Sequence, residues 1–556
     1  MKLAAVQPWI AHYPKNMPTD ISIAPYQSLA EFMREQCKKY SDQVAFENFD
    51  STLTYAELDQ MSGYFAAYLQ HKLQLKKGDR FGIMLPNMLQ FPIVLLAALR
   101  IGLIVVNINP LYTPDELIHQ IKDAGMSALI VMENFASVVE KARTKVALAH
   151  VIVTKMGDCL SGVKGPLINL YLKYIRKDVP SWSMNDAYWF LDILSDARQH
   201  DMQCSEVEIT LDDCAMLQYT GGTTGVAKGA MLSNKNVLSN IIQCYTWVED
   251  RLDGGDNVVV TALPLYHIFS LTGCFFFMYA GARSLLITNP RDMNFFVRFL
   301  KKKKFSIFVG INTLFNGLLQ QKQFSSVDFS HLKLVISGGM ALQKTVADHW
   351  QSLTGSVIIE GYGLTEASPV VTINAMTVER FTASVGFPVP STSVSIRDNQ
   401  DYEVAIGEVG ELWVKGPQVM QGYWQRPEET CAVIQDGWLK TGDIARVDEK
   451  GRVFIVDRRK DMIIVSGFNV YPNEIEAVIM AHPKVAEVAV VGIPCAQSGE
   501  AVKAFITPRD VALTSDEIIS FCRQKLTKYK IPKVIEFVKE LPKSNVGKVL
   551  RRALRD

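Results

Sequence analysis

The stretch AMLQYTGGTTGVAKGAMLSNKNVLSNII (215–242) decides how the rest of the chain is read. An apolar run ends at Tyr219 and Thr220, and a glycine-rich turn follows. Gly221, Gly222 and Gly225 lack a Cβ, which lets the backbone approach an anion closely. Thr223 and Thr224 add hydroxyls, and Lys228 adds a positive charge. That combination suits a polyphosphate. The spacing G-x-x-x-x-G-K-[ST] is absent, so a Walker-type loop is disfavoured. A plain Gly/Thr turn between two strands is the competing reading. Beyond the loop, Ser233 stands where a helix N-cap belongs.

On either side, strand-like runs alternate with helical stretches: SALIVM (127–132), NVVVTALP (257–264), SIFVGI (306–311) and KLVISGG (333–339). The alternation predicts an α/β fold with largely parallel sheets covered on both faces. From about residue 386 to 456 the pattern changes to short strands and turns, which predicts a smaller antiparallel β subdomain. After VDRRKD (456–461) a compact α+β tail is expected, with helices at NEIEAVIMAHP and DEIISFCRQKL and a strand at AEVAVVGI. The expected division is a large domain over 1–456 and a small one over 457–556.

A chain of 556 residues exceeds the roughly 250–300 at which one core stops growing, which agrees with more than one domain. The formal net charge is +1, so no global field draws the chain to nucleic acid. Nine cysteines stand singly, which reads as reduced thiols in a cytoplasmic protein. No secretory leader is apparent, and the apolar runs at 92–110 and 268–282 read as core rather than membrane spans.

Several further segments share the order found in adenylate-forming enzymes: LTYAELDQ (53–60), LPLYHIF (263–269), GYGLTEASP (361–369), GELWVKG (410–416), GWLKTGD (437–443), DRRKDMI (457–463), GFNVYPNEIE (467–476) and PKSNVGK (542–548). With the loop, they make the chain resemble that superfamily over nearly its whole length. Within it, the chain is most similar to bacterial long-chain fatty acid–CoA ligases. The resemblance implies ATP, CoA and a fatty acid as substrates, Mg²⁺ as cofactor, an acyl-adenylate intermediate and a mobile C-terminal domain.

It also implies roles residue by residue. Tyr219 and the loop hold the phosphates, with Thr220 as a second metal or phosphate contact. In GYGLTE, Tyr362 lies on the adenine beside Gly363, Thr365 approaches the α-phosphate and Glu366 holds Mg²⁺. Gly338 and Gly339 border the adenine. Asp443 takes the ribose hydroxyls with help from Arg458. His267 lies at the floor of the acyl site, where a satisfied core histidine is the alternative. Lys548 bridges carboxylate and α-phosphate, Asp457 is the hinge, and Gly467 with Phe468 lines the path of CoA. Related enzymes carry a tryptophan gate where this chain has Leu271.

A fatty carboxylate is already ionised at pH 7, so adenylation needs charge neutralisation and positioning rather than a general base. Phe269, Phe275, Phe276, Phe277 and Met278 suit an alkyl chain or simply a core. In 166–182, Leu167, Leu170, Tyr171, Tyr174 and Ile175 share one helical face, accompanied by Lys173, Arg176 and Lys177. Such a helix can lie peripherally on a membrane or pack on its own domain. Two rival functions stay open: a fatty acyl-AMP ligase loading a carrier protein, and an inactive acyl-nucleotide binding protein. The lack of a long insertion after GYGLTEASP favours CoA over a carrier; intact Glu366, Asp443 and Lys548 oppose the inactive reading.

Overall fold

The computed structural model describes residues 7–221, 227–252, 256–495, 497–544 and 547–555. Among these residues the chain forms sheets of nine, eight, five and five strands. The expected α/β class is observed: a large N-terminal body of layered sheets and helices, then a small C-terminal body.

The nine-stranded sheet carries a parallel block in which Val258–Thr261, Ile307–Gly310, Leu334–Ser337 and Ile358–Gly363 lie side by side. The first three are runs that read as strands in the sequence. Buried on both faces, they need continuous apolar character, and Val, Ile and Phe supply it. The eight-stranded sheet holds a second parallel block around Arg80–Met84, Ile104–Asn107 and Met126–Met132. The apolar helix Gln90–Arg100 has all but its last residue buried. Gly102 then adopts φ +68° and turns the chain into Ile104–Asn107. The run at 92–110 is thus a core helix and strand, as expected.

The second apolar run forms the helix Ile268–Tyr279. Leu271, Phe275, Phe276, Phe277 and Met278 are all buried in the main core. Each such side chain contributes roughly 1.5–3 kcal/mol by leaving water. Among the described residues, no helix is long and apolar enough to cross a membrane.

A five-stranded antiparallel sheet follows, built on Ser393–Arg397, Gly410–Lys415 and Trp438–Val447, with Val453–Arg458 on its edge. The small body has its own core, in which Ile475 and Ile479 of the helix Pro472–Met480 meet Val490, Val502 and Ile506 of a long hairpin.

Candidate functional site

The loops after the carboxyl ends of the parallel block converge on one crevice, the usual ligand position in such sheets. His267 follows Val258–Thr261, Ile311 and Thr313 follow Ile307–Gly310, Gly338 and Gly339 follow Leu334–Ser337, and Tyr362 stands near the end of Ile358–Gly363. His267 is the N-cap of Ile268–Tyr279, its Nδ1 accepting the Phe269 N–H at 3.4 Å. Burial, with the neighbouring charge of Lys548, pushes His267 down to about 3, so its imidazole is neutral.

The Tyr362 hydroxyl donates to Asp443 Oδ2 at 2.6 Å. Asp443 is paired across the sheet with Arg458, whose Nε lies 3.4 Å from Oδ1. Burial pushes Asp443 up, while Arg458 and the Tyr362 hydrogen bond pull it down. On the same strand face as Tyr362, two residues earlier, Glu360 is buried and pushed up to about 8, with the Leu342 N–H opposing the shift. A carboxyl next to GYG gives no local sequence signal, and it was not anticipated.

Lys548 reaches this crevice from the tail. Its Cε lies 3.8 Å from where a Cβ on Gly339 (φ +75°) would stand. Gly547, at φ +84°, lets the tail loop dock: a Cβ there would be 2.8 Å from Thr313 Oγ1 and 3.1 Å from Ile311 Cδ1. Burial and the Arg458 charge push Lys548 down to about 8, and Asp443 and Glu366 oppose them. The amine therefore feels Asp443, Arg458 and Glu366 together, and its own charge reaches His267.

A second wall comes from the stretch that opened the sequence reading. Cys214–Gly221 and Ala227–Ser233 pair antiparallel, with Thr220 opposite Lys228 and Gly221 opposite Ala227. The strands that flank the glycine-rich stretch therefore pair with each other, and Ser233 caps the helix Asn234–Val248 only after the second of them. Gly222, Thr223, Thr224 and Gly225 lie outside the described residues. Tyr219 donates to Asp123 Oδ2 at 2.7 Å, and Arg426 donates to Oδ1 of the same carboxylate at 2.7 Å. Lys228 pairs with Glu429 and lies 5.3 Å from the centroid of the Tyr423 ring. The Tyr423 hydroxyl donates to Glu366 Oε1 at 2.8 Å, which joins the two walls.

Other anticipated residues stand differently. A Cβ on Gly338 would come within 2.9 Å of the Phe269 ring, and one on Gly363 within 2.1 Å of the Pro369 carbonyl oxygen, so both glycines make room for protein. Thr365 opens a 3₁₀ turn, Thr365–Ala367, next to Glu366. Gly467 and Phe468 are exposed on the small body, with Phe468 stacking on Tyr529 at 4.8 Å. Asp457 is buried in the strand Val453–Arg458, paired with Ile444. Asp123, Tyr423, Arg426 and Glu429 escaped sequence reading because their partners are distant in the chain.

The pattern of the AMP-binding enzyme family matches residues 33–424, and that of the AMP-binding enzyme C-terminal domain matches 474–548. The chain belongs to the AMP-binding enzyme family. Among curated relatives, the long-chain-fatty-acid–CoA ligase of Escherichia coli O157:H7 is 52% identical over 549 residues, 99% of this chain and 98% of that one. The ATP-bound crystal structure of MatB from Rhodopseudomonas palustris superposes with a TM-score of 0.80 at 28% identity, covering 95% of this chain and 98% of that one. The anthranilate CoA ligase AuaEII in complex with anthranoyl-AMP superposes at 0.83 and 25% identity, covering 96% and 98%. The family's two parts correspond to the large and small bodies, and the crevice with Lys548 lies where they meet.

Proposed function

We propose that the chain is an AMP-forming acid–thiol ligase that joins a long-chain fatty acid to CoA through an acyl-adenylate. Identity of about half to curated long-chain-fatty-acid–CoA ligases over the full length supports the substrates. The observation that carries the mechanism is the presence of the small body's Lys548 in the large body's crevice. In the first half-reaction the acid carboxylate attacks the α-phosphate of ATP and diphosphate leaves. No general base is required, and neutral His267 orients the acid without attracting it by charge. Lys548 supplies the positive charge between the two anions, Asp443 with Arg458 holds the ribose, and Tyr362 covers the adenine. Lys228, Thr220 and the glycine-rich stretch between them hold the phosphates.

Among the described residues no three His, Cys, Asp or Glu side chains cluster to hold a metal. Glu366 offers one carboxylate, with Oε1 fixed by Tyr423. That donor set fits Mg²⁺ arriving with its nucleotide, since Mg²⁺ commonly takes one or two carboxylates and phosphate oxygens. When bound, the ion would neutralise phosphate charge. In the second half-reaction the small body turns about Asp457, where we set the domain boundary. Lys548 withdraws, the Gly467–Phe468 turn swings to the crevice, and the CoA thiol attacks the acyl carbon, releasing AMP.

The test is ATP–diphosphate exchange and thioester formation across a series of acids. Palmitate and oleate should drive both, and acetate far more weakly; equal turnover of acetate and palmitate would sink the long-chain assignment.

The lipid-facing element we propose is the stretch 166–182. Its α-helix is shorter than the periodicity implied: Lys164–Leu170 gives way to a π turn at Tyr171–Ile175. Tyr174 and Ile175 are 66% and 72% exposed, with Val163, Leu167, Leu170 and Tyr171 also outside. Such a patch beside Lys173 and Arg176 suits the surface of a membrane that holds the substrate. Replacing Tyr171 and Tyr174 by Ser, and Lys173 and Arg176 by Gln, should weaken liposome pelleting and spare turnover of soluble acids. Unchanged pelleting would return the segment to a simple surface role.

A further inference from the structure

The joint between the two bodies contains a buried charge cluster that the two half-reactions, as described, do not use. Arg551 lies three residues beyond Lys548, at the start of the last turn, Arg551–Leu554. Its Nη2 donates to both oxygens of Glu476 at 2.9 Å and to Asn473 Oδ1 at 2.6 Å. Its Nη1 lies 3.3 Å from Asp457 Oδ1 and 3.3 Å from Asp461 Oδ2. Arg555 adds a 3.1 Å contact to Asp461. Two arginines thus face three carboxylates, and the Asp457 side chain is wholly out of solvent.

The partners belong to different parts of the molecule. Glu476 and Asn473 sit on the helix Pro472–Met480 of the small body. Asp457 is still paired with Ile444 in the large body's edge strand. Its carboxylate nevertheless accepts from the small body, from Asn473 N at 2.8 Å as well as from Arg551. Arg551 therefore grips, across the joint, the residue about which the chain must turn.

The grip is transmitted to Lys548 through backbone bonds that join its neighbours on either side. Ser544 N donates to the Lys548 carbonyl at 2.7 Å, Leu550 N donates to that of Pro542 at 2.8 Å, and Lys543 bridges to Val549. Lys543 is tied to Glu487 of the small body at 2.6 Å. With the loop braced, the seating of Arg551 against Asp457 sets where Lys548 lands. A turn about the joint that parted the pair would leave the Asp457 carboxylate without its cation, which disfavours the parted state unless other groups replace it.

We propose that Arg551 is a positioning residue for adenylation: by gripping Asp457 it latches the small body in the orientation that holds Lys548 in the crevice. The inference rests on the two-orientation reading above. A latch biases an equilibrium between orientations and leaves the chemistry of each untouched, so it should separate the two half-reactions.

The test uses the full chain with Arg551→Gln, Arg551→Lys and Asp457→Asn, beside Lys548→Ala. Exchange of diphosphate into ATP with palmitate reads the first half-reaction; acyl-CoA made from supplied palmitoyl-adenylate and CoA reads the second. Arg551→Gln should lower exchange about tenfold or more, within the range of ordinary coupling between sites, and leave the thioester step within about twofold. Arg551→Lys should restore part of the exchange. Asp457→Asn keeps Arg551 paired with Glu476 and Asp461, so it tests the latch even if Arg551→Gln does not fold, and should shift the ratio the same way. Equal losses in both half-reactions would make Arg551 a structural brace only, and unchanged exchange in Arg551→Gln or Asp457→Asn would remove the latch. If Lys548→Ala itself fails to separate the half-reactions, the two-orientation reading falls and the latch with it; if Lys548→Ala separates them and Arg551 and Asp457 variants do not, only the latch falls.

Discussion

The strand Ala227–Ser233 and the tail loop each bring one lysine to the crevice, and the two lysines live in opposite surroundings. Lys228 sits on a strand of the large body, paired with Glu429 and lying over the Tyr423 ring. Lys548 sits on a loop of the small body, forms no ion pair among the described residues, and has Arg458 as an unfavourable neighbour. A cation with a protein carboxylate beside it is stable before any ligand arrives. A cation pressed into a crevice beside another cation becomes stable only when anions join it. The first suits a fixed phosphate clamp, and the second suits a charge brought in for one step and then withdrawn.

The sharpest way to break that contrast is Lys548→Ala. Removal of one preorganised charge typically costs about 3–4 kcal/mol, a factor of hundreds or above, and the loss should fall on adenylation alone. Diphosphate exchange compared with thioester formation from supplied adenylate checks it; equal losses would mean that the two lysines are alike. Gly547→Ala tests delivery with the lysine intact. The new Cβ would meet Thr313 at a residue with φ +84°, so exchange should fall about tenfold, on the scale of ~1–2 kcal/mol of strain. Undiminished exchange would show that the loop need not dock as it does here.

The pH dependence is subtler. Lys548, at about 8, is charged below that pH and neutral above it. The kcat/KM for exchange should therefore be level up to about 8 and then fall about tenfold per pH unit. His267, at about 3, stays neutral throughout and adds no limb near neutrality. Lys548→Arg should abolish the alkaline limb, whatever its absolute rate, because a guanidinium keeps its charge. The smallest effect is expected for Glu429→Gln, which removes the resting partner of Lys228. The KM for ATP should drop a few-fold, about the value of a partly exposed ion pair. A raised KM would mean that Glu429 aims Lys228 rather than competing with phosphate.

Most of the fold was legible because strands buried on both faces must be continuously apolar. The runs at 127–132, 257–264, 306–311 and 333–339 all lie on parallel strands, and Ser233 does cap a helix. Of the candidate site, the motifs pointed to Tyr362, Asp443 and Lys548, which the fold brings to one crevice. Glycine was an ambiguous signal: beside Gly338 and Gly363 a ring and a carbonyl oxygen stand where a Cβ would be, so protein packing alone is reason enough for glycine there. Tyr423 and Glu429 could not be read, because Glu366 and Lys228 meet them only after some 57 and 201 residues of intervening chain have folded. The π turn at Tyr171–Ile175 was likewise invisible to a count of helical periodicity.

If Tyr362 and Asp443 have the proposed roles, the hydrogen bond between them ties the base end of the nucleoside site to its sugar end. On the proposed roles, the two ends are not read separately. A nucleotide lacking the 2′-hydroxyl would disturb the carboxylate, and through it the ring that covers the base. A bulkier base would tilt the ring and loosen the hold on the sugar. Discrimination against dATP and GTP would then rise and fall together in variants of either residue, so that one short contact makes the enzyme judge the whole nucleoside at once.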